Sequence, residues 1–371
     1  MRIAFLCKRH YTGKDVICDR YGRLYEWPRQ LARLGHAVQA WCLDYRSQDD
    51  AMQRHEAAPG SLAWASCSVG GFGAARLVTY PHRLRRQLVD FKPDILIGAS
   101  DIPHVALAVW LGRQLGVPCV VDLYDNFESF GQARIPGFRA LLAHAIRHAS
   151  LVVTVSQALR EKILADHAPA HPVLVMPNGI HDAVFSPGSR AQARQALDLP
   201  ADAQLIGTAG GLLRMKGLDV VYTAWQHLAL RRPNLHLVLA GPVEKSFPPP
   251  AGPRVHYLGE LPEHQVAELF RALDVGIIPL KDSPFGRYCF PQKAYEMLAC
   301  QLPVVVANTG EMASLFAPWP GMLFAPDDPV GLAAAVLRQL EEPCVPAIAV
   351  LEWPELIAQL EPTLKQLARA S

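Results

Sequence analysis

QLIGTAGGLLRMKGLDVVYTAWQHLALRRPNLHLVLAGP, Gln204 to Pro242, contains the pattern that decides the fold. An apolar run, QLIGTAG, ends in glycines, an amphipathic stretch, GLDVVYTAWQHLALRR, follows, and a second apolar run, LHLVLAGP, closes the unit. Strand, helix and strand in that order predict two parallel strands joined by a crossover helix. The alternation continues in both directions. After 242 come RVHYLG, DVGIIPL, LPVVVAN and GMLFAPD, separated by helical windows such as EHQVAELFRAL. Before 204, RIAFLC, AVQAWCL, DILIGA, PCVVDLY and LVVTVS alternate with LARLGH, HVALAVWLGRQLG and FRALLAHAIRHA. These strands are apolar on both faces, as parallel strands buried between helix layers must be.

Two such series predict an α/β chain with two doubly wound sheets, and 371 residues exceed what one hydrophobic core usually spans. A cleft between two domains is the expectation. The stretch VLVMPNGIHDAVFSPGS, 173–189, breaks the pattern with P-N-G and polar residues, which places the crossing between domains over 1–180 and 181–352. The proline-rich SFPPPAGPR, 246–254, reads as a stiff connector.

Half of the residues are hydrophobic and 19% are charged, a globular composition. No apolar run approaches the ~18 to 20 residues that cross a bilayer, so no membrane-spanning helix is expected. The opening MRIAFLCKRH has too short an apolar core for a signal peptide and reads as a buried strand, which points to the cytoplasm. Eight cysteines form no C-x-x-C pair and read as reduced thiols. The net charge of +2 conceals an asymmetry: residues 1–150 hold 19 Lys+Arg against 13 Asp+Glu, +6, leaving −4 for the rest. The excess gathers in KRHYTGKD, 8–15, and PHRLRRQL, 81–88. It reads either as solvated surface or as a face for anionic headgroups or an anionic acceptor. No nucleic-acid-binding module appears.

Doubly wound sheets bind ligands beyond the carboxyl ends of their strands, where helix amino termini expose N–H groups. GTAGGLLRMKGLD, 207–219, offers such a place: Gly210 and Gly211 allow close backbone approach, and Arg214 and Lys216 bring positive charge suited to a diphosphate. It is not a Walker loop, TGKD at 12–15 fails the same test, and GGFGAAR at 70–76 lacks the third glycine of the dinucleotide fingerprint. A second place is YCFPQKAYEMLACQLPVVV, 288–306, where KDSPFGRYCF reads as a loop and Pro291 opens a helix. N–H groups around Cys289, Phe290 and Gln292 are expected to face the same ligand. Glu296 has the wrong sign for phosphate but suits two vicinal hydroxyls, as in a ribose; alternatively, Lys293 neutralises it as a helical ion pair.

RMKG at 214–217, MPNGIHDAVFSP at 176–187, LAGP at 239–242, YLGELP at 257–262, ALDVGIIPL at 272–280 and FPQKAYEMLACQLPVVV at 290–306 together resemble the carboxy-terminal half of glycosyltransferase family 4. The first half is similar in RIAFLCKRH, in the Gly22-containing YGRLYEWPRQLARLGHAV, and in KPDILIGA, GVPCVVDLYD and ASLVVTVSQALREKI. The resemblance implies a GT-B fold, two Rossmann-like domains facing across a cleft, with the helix over 353–371 returning to the first. It implies a nucleotide-diphosphate sugar donor, UDP- or GDP-linked, and retention of anomeric configuration. Lys216 matches the family lysine for the donor diphosphate and Glu296 the second glutamate of E-x7-E, on the ribose. Gly210, Gly211, Leu258, Tyr288, Cys289 and Phe290 fall in the donor-binding segments, and Gly22, Tyr124 and Asp125 in those for acceptor and sugar. Departures stand at Tyr288, where the first motif glutamate belongs, at Gly211, where a basic residue belongs and Arg214 is the substitute within reach, and at Tyr124, which replaces a histidine. A subset reading P-x-K-x-x-E shares the first.

On this reading Lys216, Arg214 and Glu296 carry catalysis by stabilising the departing diphosphate and holding the donor. No cofactor or metal is expected: there is no D-x-D motif, and Asp49–Asp50 and Asp327–Asp328 read as solvated pairs. Asp101, Asp125 and Glu128 follow apolar strands and read either as groups orienting the acceptor or as caps. The expected partners are the donor and a glycan or lipid-linked acceptor of cell-surface polysaccharide or lipopolysaccharide synthesis, met in the cytoplasm or on the inner membrane face. Two other readings of the same fold are a sugar-nucleotide epimerase and a non-catalytic sugar-nucleotide-binding protein.

Overall fold

The computed structural model describes residues 1–11, 13–46, 50–69 and 73–370. The chain forms two compact units, Met1–Asn178 with Trp353–Ser371, and Gly179–Glu352. Of the sequence motifs, Thr12 of TGKD, Asp49 and the first three residues of GGFGAAR lie outside the described residues.

The first unit contains β1 (Arg2–Lys8), a small hairpin of β2 (His10–Tyr11) and β3 (Lys14–Asp15), then α1 (Arg23–Arg33), β4 (Ala37–Asp44), β5 (Ala51–His55), β6 (Ser61–Ser68) and α2 (Gly73–Phe91). It continues through β7 (Ile95–Gly98), α3 (Ile102–Leu115), β8 (Cys119–Leu123), α4 (Phe138–His148), β9 (Leu151–Thr154), α5 (Gln157–His167) and β10 (Val173–Val175). The main sheet runs β10-β9-β8-β7-β1-β4-β6-β5. All neighbours are parallel except β5, which pairs antiparallel with β6, an edge that the two-face apolar pattern does not reveal. Its sequence, AMQRH, alternates half-buried and exposed residues, as an uncovered edge does. Ile3, Ala4, Phe5, Leu6 and Cys7 of β1 have no exposed surface.

A charged pair is buried at the carboxyl edge of this sheet. Arg23, 1% exposed, reaches the fully buried Asp122 with its Nη2 at 2.8 Å from Oδ1 and its Nε at 3.0 Å from Oδ2. Its Nη1 donates to the Met176 carbonyl at 2.7 Å and that of Pro177 at 3.1 Å. One guanidinium thus ties α1 to β8 and to the chain leaving β10. Burial lifts the Asp122 carboxyl above the usual carboxylate range even against the nearby Arg23 charge.

The second unit contains α6 (Arg190–Ala196), β11 (Gln204–Ala209), α7 (Leu218–Arg231), β12 (Leu235–Ala240), β13 (Val255–Tyr257), α8 (Glu263–Ala272), β14 (Val275–Ile278) and α9 (Pro284–Tyr288). There follow α10 (Gln292–Ala299), β15 (Val304–Ala307), α11 (Gly310–Leu315), β16 (Leu323–Phe324) and α12 (Pro329–Glu341). Its sheet is parallel throughout, in the order β13-β12-β11-β14-β15-β16. The strand order reverses direction at β11 and β14, the position where doubly wound sheets open a crevice. The segment expected as a loop, KDSPFGRYCF, instead contains α9, because the Ser283 hydroxyl caps the Gly286 N–H at 3.1 Å and Pro284 suits a first helical position.

The final helix, α13 (Trp353–Arg369), belongs to the first unit and packs on α1. Trp353 is 1% exposed, and Glu361 Oε1 sits 2.8 Å from His36 Nε2.

Removing one partner of a buried ion pair leaves the other charge without compensation, at a cost of about 3–5 kcal/mol. Asp122→Ala is expected to lower the unfolding free energy by that amount, read as a lower urea midpoint at unchanged slope, and the double variant Arg23→Met/Asp122→Leu to recover much of the loss.

Candidate functional site

The turn after β11 begins with a close approach that a side chain would forbid. Gly210 and Gly241, at the carboxyl ends of adjacent strands, both have positive φ, 104° and 125°. A Cβ on Gly241 would stand 2.1 Å from the Gly210 carbonyl oxygen. The chain then makes a single tight turn over Arg214–Lys216, and Gly217, φ 86°, starts α7. Two ammonium groups meet at this turn. Lys216 Nζ lies 3.4 Å from where a Gly211 Cβ would stand and 5.9 Å from the centre of the Phe285 ring. Lys293 Nζ, arriving from α10, lies 3.6 Å from the Cβ position of Gly210 and donates to Thr208 Oγ1 at 3.4 Å.

Lys293 therefore does not form the helical ion pair that its spacing to Glu296 allows; its ammonium points back to the β11 turn. Burial first, then the Lys216 charge, pull it down to about 8, against the opposing influence of Glu296 and Cys289. Glu296, one helical turn on, is pushed up to about 7 by burial and by Glu263, with Lys293, Gln292 and His181 opposing. Both side chains keep some surface, but their charged ends are crowded by protein.

The other donor-side candidates divide. Arg214 is exposed, and its guanidinium rests on the Phe247 ring at 4.5 Å, which is itself stacked on Tyr222 at 4.7 Å. Leu258 is half-buried beside the turn's neighbouring strands, its N–H bonded to the Leu239 carbonyl at 2.9 Å. The Cys289 N–H, expected to face a ligand, is taken by the Phe285 carbonyl at 2.9 Å as α9 ends. Phe290 packs edge-on against Tyr295 at 4.8 Å. Tyr288 is the last residue of α9 and half-buried. Asp282 and Arg287, the neighbours that could replace the missing glutamate, are bound to each other, with Arg287 Nη2 at 2.8 Å from Asp282 Oδ2.

In the first unit, Gly22, φ 70°, precedes α1, and a Cβ there would come 3.2 Å from the Tyr11 ring. Tyr11 meets Tyr124 edge-on at 5.0 Å and Tyr21 at 6.4 Å, and Tyr124 meets Phe127 at 5.2 Å. The Tyr124 hydroxyl donates to the Ser100 carbonyl at 2.9 Å. Burial raises the Tyr11 and Tyr124 phenols far above their ordinary value, so both stay neutral. Asp125 is half-buried next to this cluster and accepts the Asn126 N–H at 2.7 Å. Asp101 caps α3, accepting the His104 N–H at 3.1 Å, with His104 Nδ1 at 2.6 Å from the same oxygen. Glu128 is held by Lys162, and His167 Nε2 is 3.6 Å away. Those two carboxylates are thereby committed to structure. Among the described residues no group of three or more His, Cys, Asp or Glu could hold a metal ion, and no helix is long and apolar enough to cross a membrane.

Thr208 and the direction of Lys293 are what the linear reading passes over. The signal for Lys293 is present in the P-x-K-x-x-E spacing, but the same spacing equally fits an ion pair on the helix surface.

Comparison with known proteins covers both units. A model of the glycosyl transferase 4-like domain matches residues 23–179, and one of glycosyl transferases group 1 matches residues 203–342. A Bacillus subtilis protein named for glycosyl transfer in teichuronic acid biosynthesis, TuaC, is 26% identical over 78% of this chain and 70% of its own length. A D-inositol 3-phosphate glycosyltransferase of Stackebrandtia nassauensis is 30% identical over 58% of this chain, which spans about half, 50%, of that relative. Among solved structures, sucrose-phosphate synthase from Thermosynechococcus elongatus superposes with a TM-score of 0.79 at 19% identity over 100% of both chains. Anabaena HepE, solved in complex with UDP and glucose, gives 0.72 at 18% identity over 98% of this chain and 99% of its own. At these identities the structures establish a shared GT-B fold.

The Gly210–Gly241 contact makes a prediction about the turn itself. Gly241→Ala should destabilise the second unit by about 2 kcal/mol or more, from its positive φ and the overlap with the Gly210 carbonyl. Gly211→Ala, whose Cβ meets nothing nearer than 3.4 Å, should leave the melting temperature unchanged; differential scanning calorimetry compares the two.

Proposed function

We propose that this chain, which belongs to the glycosyltransferases through both of its domains, moves a sugar with retention from a nucleoside-diphosphate sugar to a hydroxyl of a glycan or lipid-linked acceptor. The single observation that carries the donor half is the Gly210–Gly211 turn at the carboxyl end of β11 with Lys216 over it. That is an open backbone and an unpaired cation where a doubly wound sheet binds phosphates. A UDP-linked donor is supported by HepE, whose structures carry UDP and UDP-glucose; a GDP-linked donor is the other candidate. Synthesis of a cell-surface polysaccharide is supported by the teichuronic acid relative.

Glu296 would take the two ribose hydroxyls, Lys216 the diphosphate. In the transfer the bond from the anomeric carbon to the β-phosphate oxygen breaks and a bond to the acceptor oxygen forms on the same face. The acceptor's hydroxyl proton leaves with the phosphate. Charge grows on the leaving diphosphate, and a cation fixed where it grows is commonly worth a few kcal/mol. The aromatic cluster of Tyr11, Tyr21 and Tyr124 beside Gly22 would present ring faces to the acceptor, with Asp125 to orient a hydroxyl. The reading requires no protein nucleophile and no metal. A membrane-bound acceptor suits α2, where Arg83, Arg85 and Arg86 are exposed together with Leu77, Val78 and Val89; sedimentation with phosphatidylglycerol but not phosphatidylcholine vesicles is the expected outcome.

A thermal-shift screen with UDP-, GDP-, ADP- and TDP-sugars identifies the donor, and release of labelled sugar to acceptor or water demonstrates transfer. Lys216→Ala and Glu296→Ala should each weaken binding of the selected nucleotide tenfold or more, about 1.4 kcal/mol; unchanged affinity in both folded variants overturns the assignment. The Glu296 carboxyl, pushed up to about 7 by burial and Glu263, is mostly protonated below that pH and then cannot accept from both hydroxyls. Affinity should accordingly rise between pH 6 and 7.5 in the wild type and stay flat in Glu296→Gln, measured by calorimetry.

A further inference from the structure

The buried and half-buried cations of the second unit are matched almost everywhere. Lys281 Nζ lies 2.7 Å from both Asp219 and Asp327, Arg194 Nη2 2.8 Å from Asp274, and Arg271 Nη1 2.9 Å from Glu268. Arg254 is held by the carbonyls of Ala229, Arg232 and Pro233, whereas among the described residues neither Lys216 nor Lys293 has a carboxylate within 4.0 Å. They converge instead on neighbouring glycines, each ammonium within 3.6 Å of the space a side chain would fill. Two like charges held this way repel, and the Lys216 charge adds to burial, the larger cause, in lowering the Lys293 ammonium. An arrangement that is costly when empty becomes favourable when a doubly charged anion lies between the two groups.

The position across the turn explains why two are needed. A diphosphate carries more charge than one ammonium offsets, and Gly211 offers no side chain to supply the second. Arg214 is drawn off onto Phe247. Lys293 comes from a different element, α10, and reaches the same turn from its other side. We propose that Lys293 is the second diphosphate-binding cation of this site, working in place of a basic side chain at Gly211 and making the pocket selective for nucleoside diphosphates over monophosphates. This rests on the donor reading above. The groups facing Lys293 are Lys216 from the turn, Thr208 from β11, Cys289 from the segment before α10 and Glu296 from its own helix.

The experiment is calorimetric titration of UDP, UMP and uridine, and of GDP, GMP and guanosine, against the wild type, Lys293→Met and the double variant Gly211→Lys/Lys293→Met. Melting temperatures check that each variant is folded. Lys293→Met should bind the diphosphate at least tenfold more weakly, with nucleoside affinity unchanged. The double variant should regain most of the loss, since a Cβ at Gly211 is free of close contacts and its side chain enters the same space. Diphosphate affinity should also fall above about pH 8 in the wild type, as Lys293 loses its proton, and stay level there in Lys293→Met. Equal diphosphate affinity in Lys293→Met and the wild type overturns the proposal, as does an equal loss for diphosphate and nucleoside, the mark of a merely structural residue. A wild type that binds no nucleotide overturns the donor reading itself, and this inference with it.

Discussion

A parallel sheet sealed by helices on both faces has one place left for polar chemistry, its carboxyl edge. In both units the candidate-site residues gather there. The central strands are apolar and buried, as in Ile3–Cys7 of β1 and Val304–Val306 of β15, and an unpaired charge among them would be costly. Charge appears where strands end and helices begin: Arg23 and Asp122 in the first unit, Lys216 and Lys293 in the second, with the Thr208 hydroxyl beside them. Helix amino termini face the same edge and add unpaired N–H groups, so the rule that excludes charge from the sheets also concentrates it where a ligand can reach.

The two edges use their charges differently. In the first unit Arg23 is matched by Asp122 and by the carbonyls of Met176 and Pro177. That set of bonds is complete within the protein, and its product is a fixed geometry for α1 and the Gly22 turn. In the second unit, among the described residues, Lys216 and Lys293 have no carboxylate within 4.0 Å, and burial pushes the Glu296 carboxyl up to about 7. A group with complete bonds stabilises the fold, whereas one left short of partners favours a ligand. The aromatic cluster of Tyr11, Tyr21 and Tyr124 adds a third surface of a different kind, neutral and flat.

Much of this is visible along the chain, and the parts that are not share a cause. The alternation of apolar and amphipathic runs reveals the strands and helices because each must bury its own face, a local demand written in local sequence. The Gly210–Gly211 turn and Lys216 are legible because they sit together in sequence. Lys293 is not: its spacing to Glu296 suggests a helical pair, and only the placement of α10 beside β11 shows that the ammonium belongs to another element's turn. α9 is missed because a Ser-Pro start within a short polar segment reads as a loop until the cap is seen. The antiparallel β5 escapes because its exposure alternates but its residues do not: Met52 and Arg54 are both exposed, so AMQRH shows no apolar-polar alternation.

By itself the sequence determined the α/β alternation, the two Rossmann-like series, the glycine turn and the family to which they belong, since each follows from which residues are neighbours along the chain. Tertiary structure alone decided which charges meet. The Arg23–Asp122 pair joins residues 99 positions apart, and Lys293 reaches Thr208 across 85. Coulomb and desolvation energies depend on distance in space and on burial, and neither quantity exists until the sheets have formed.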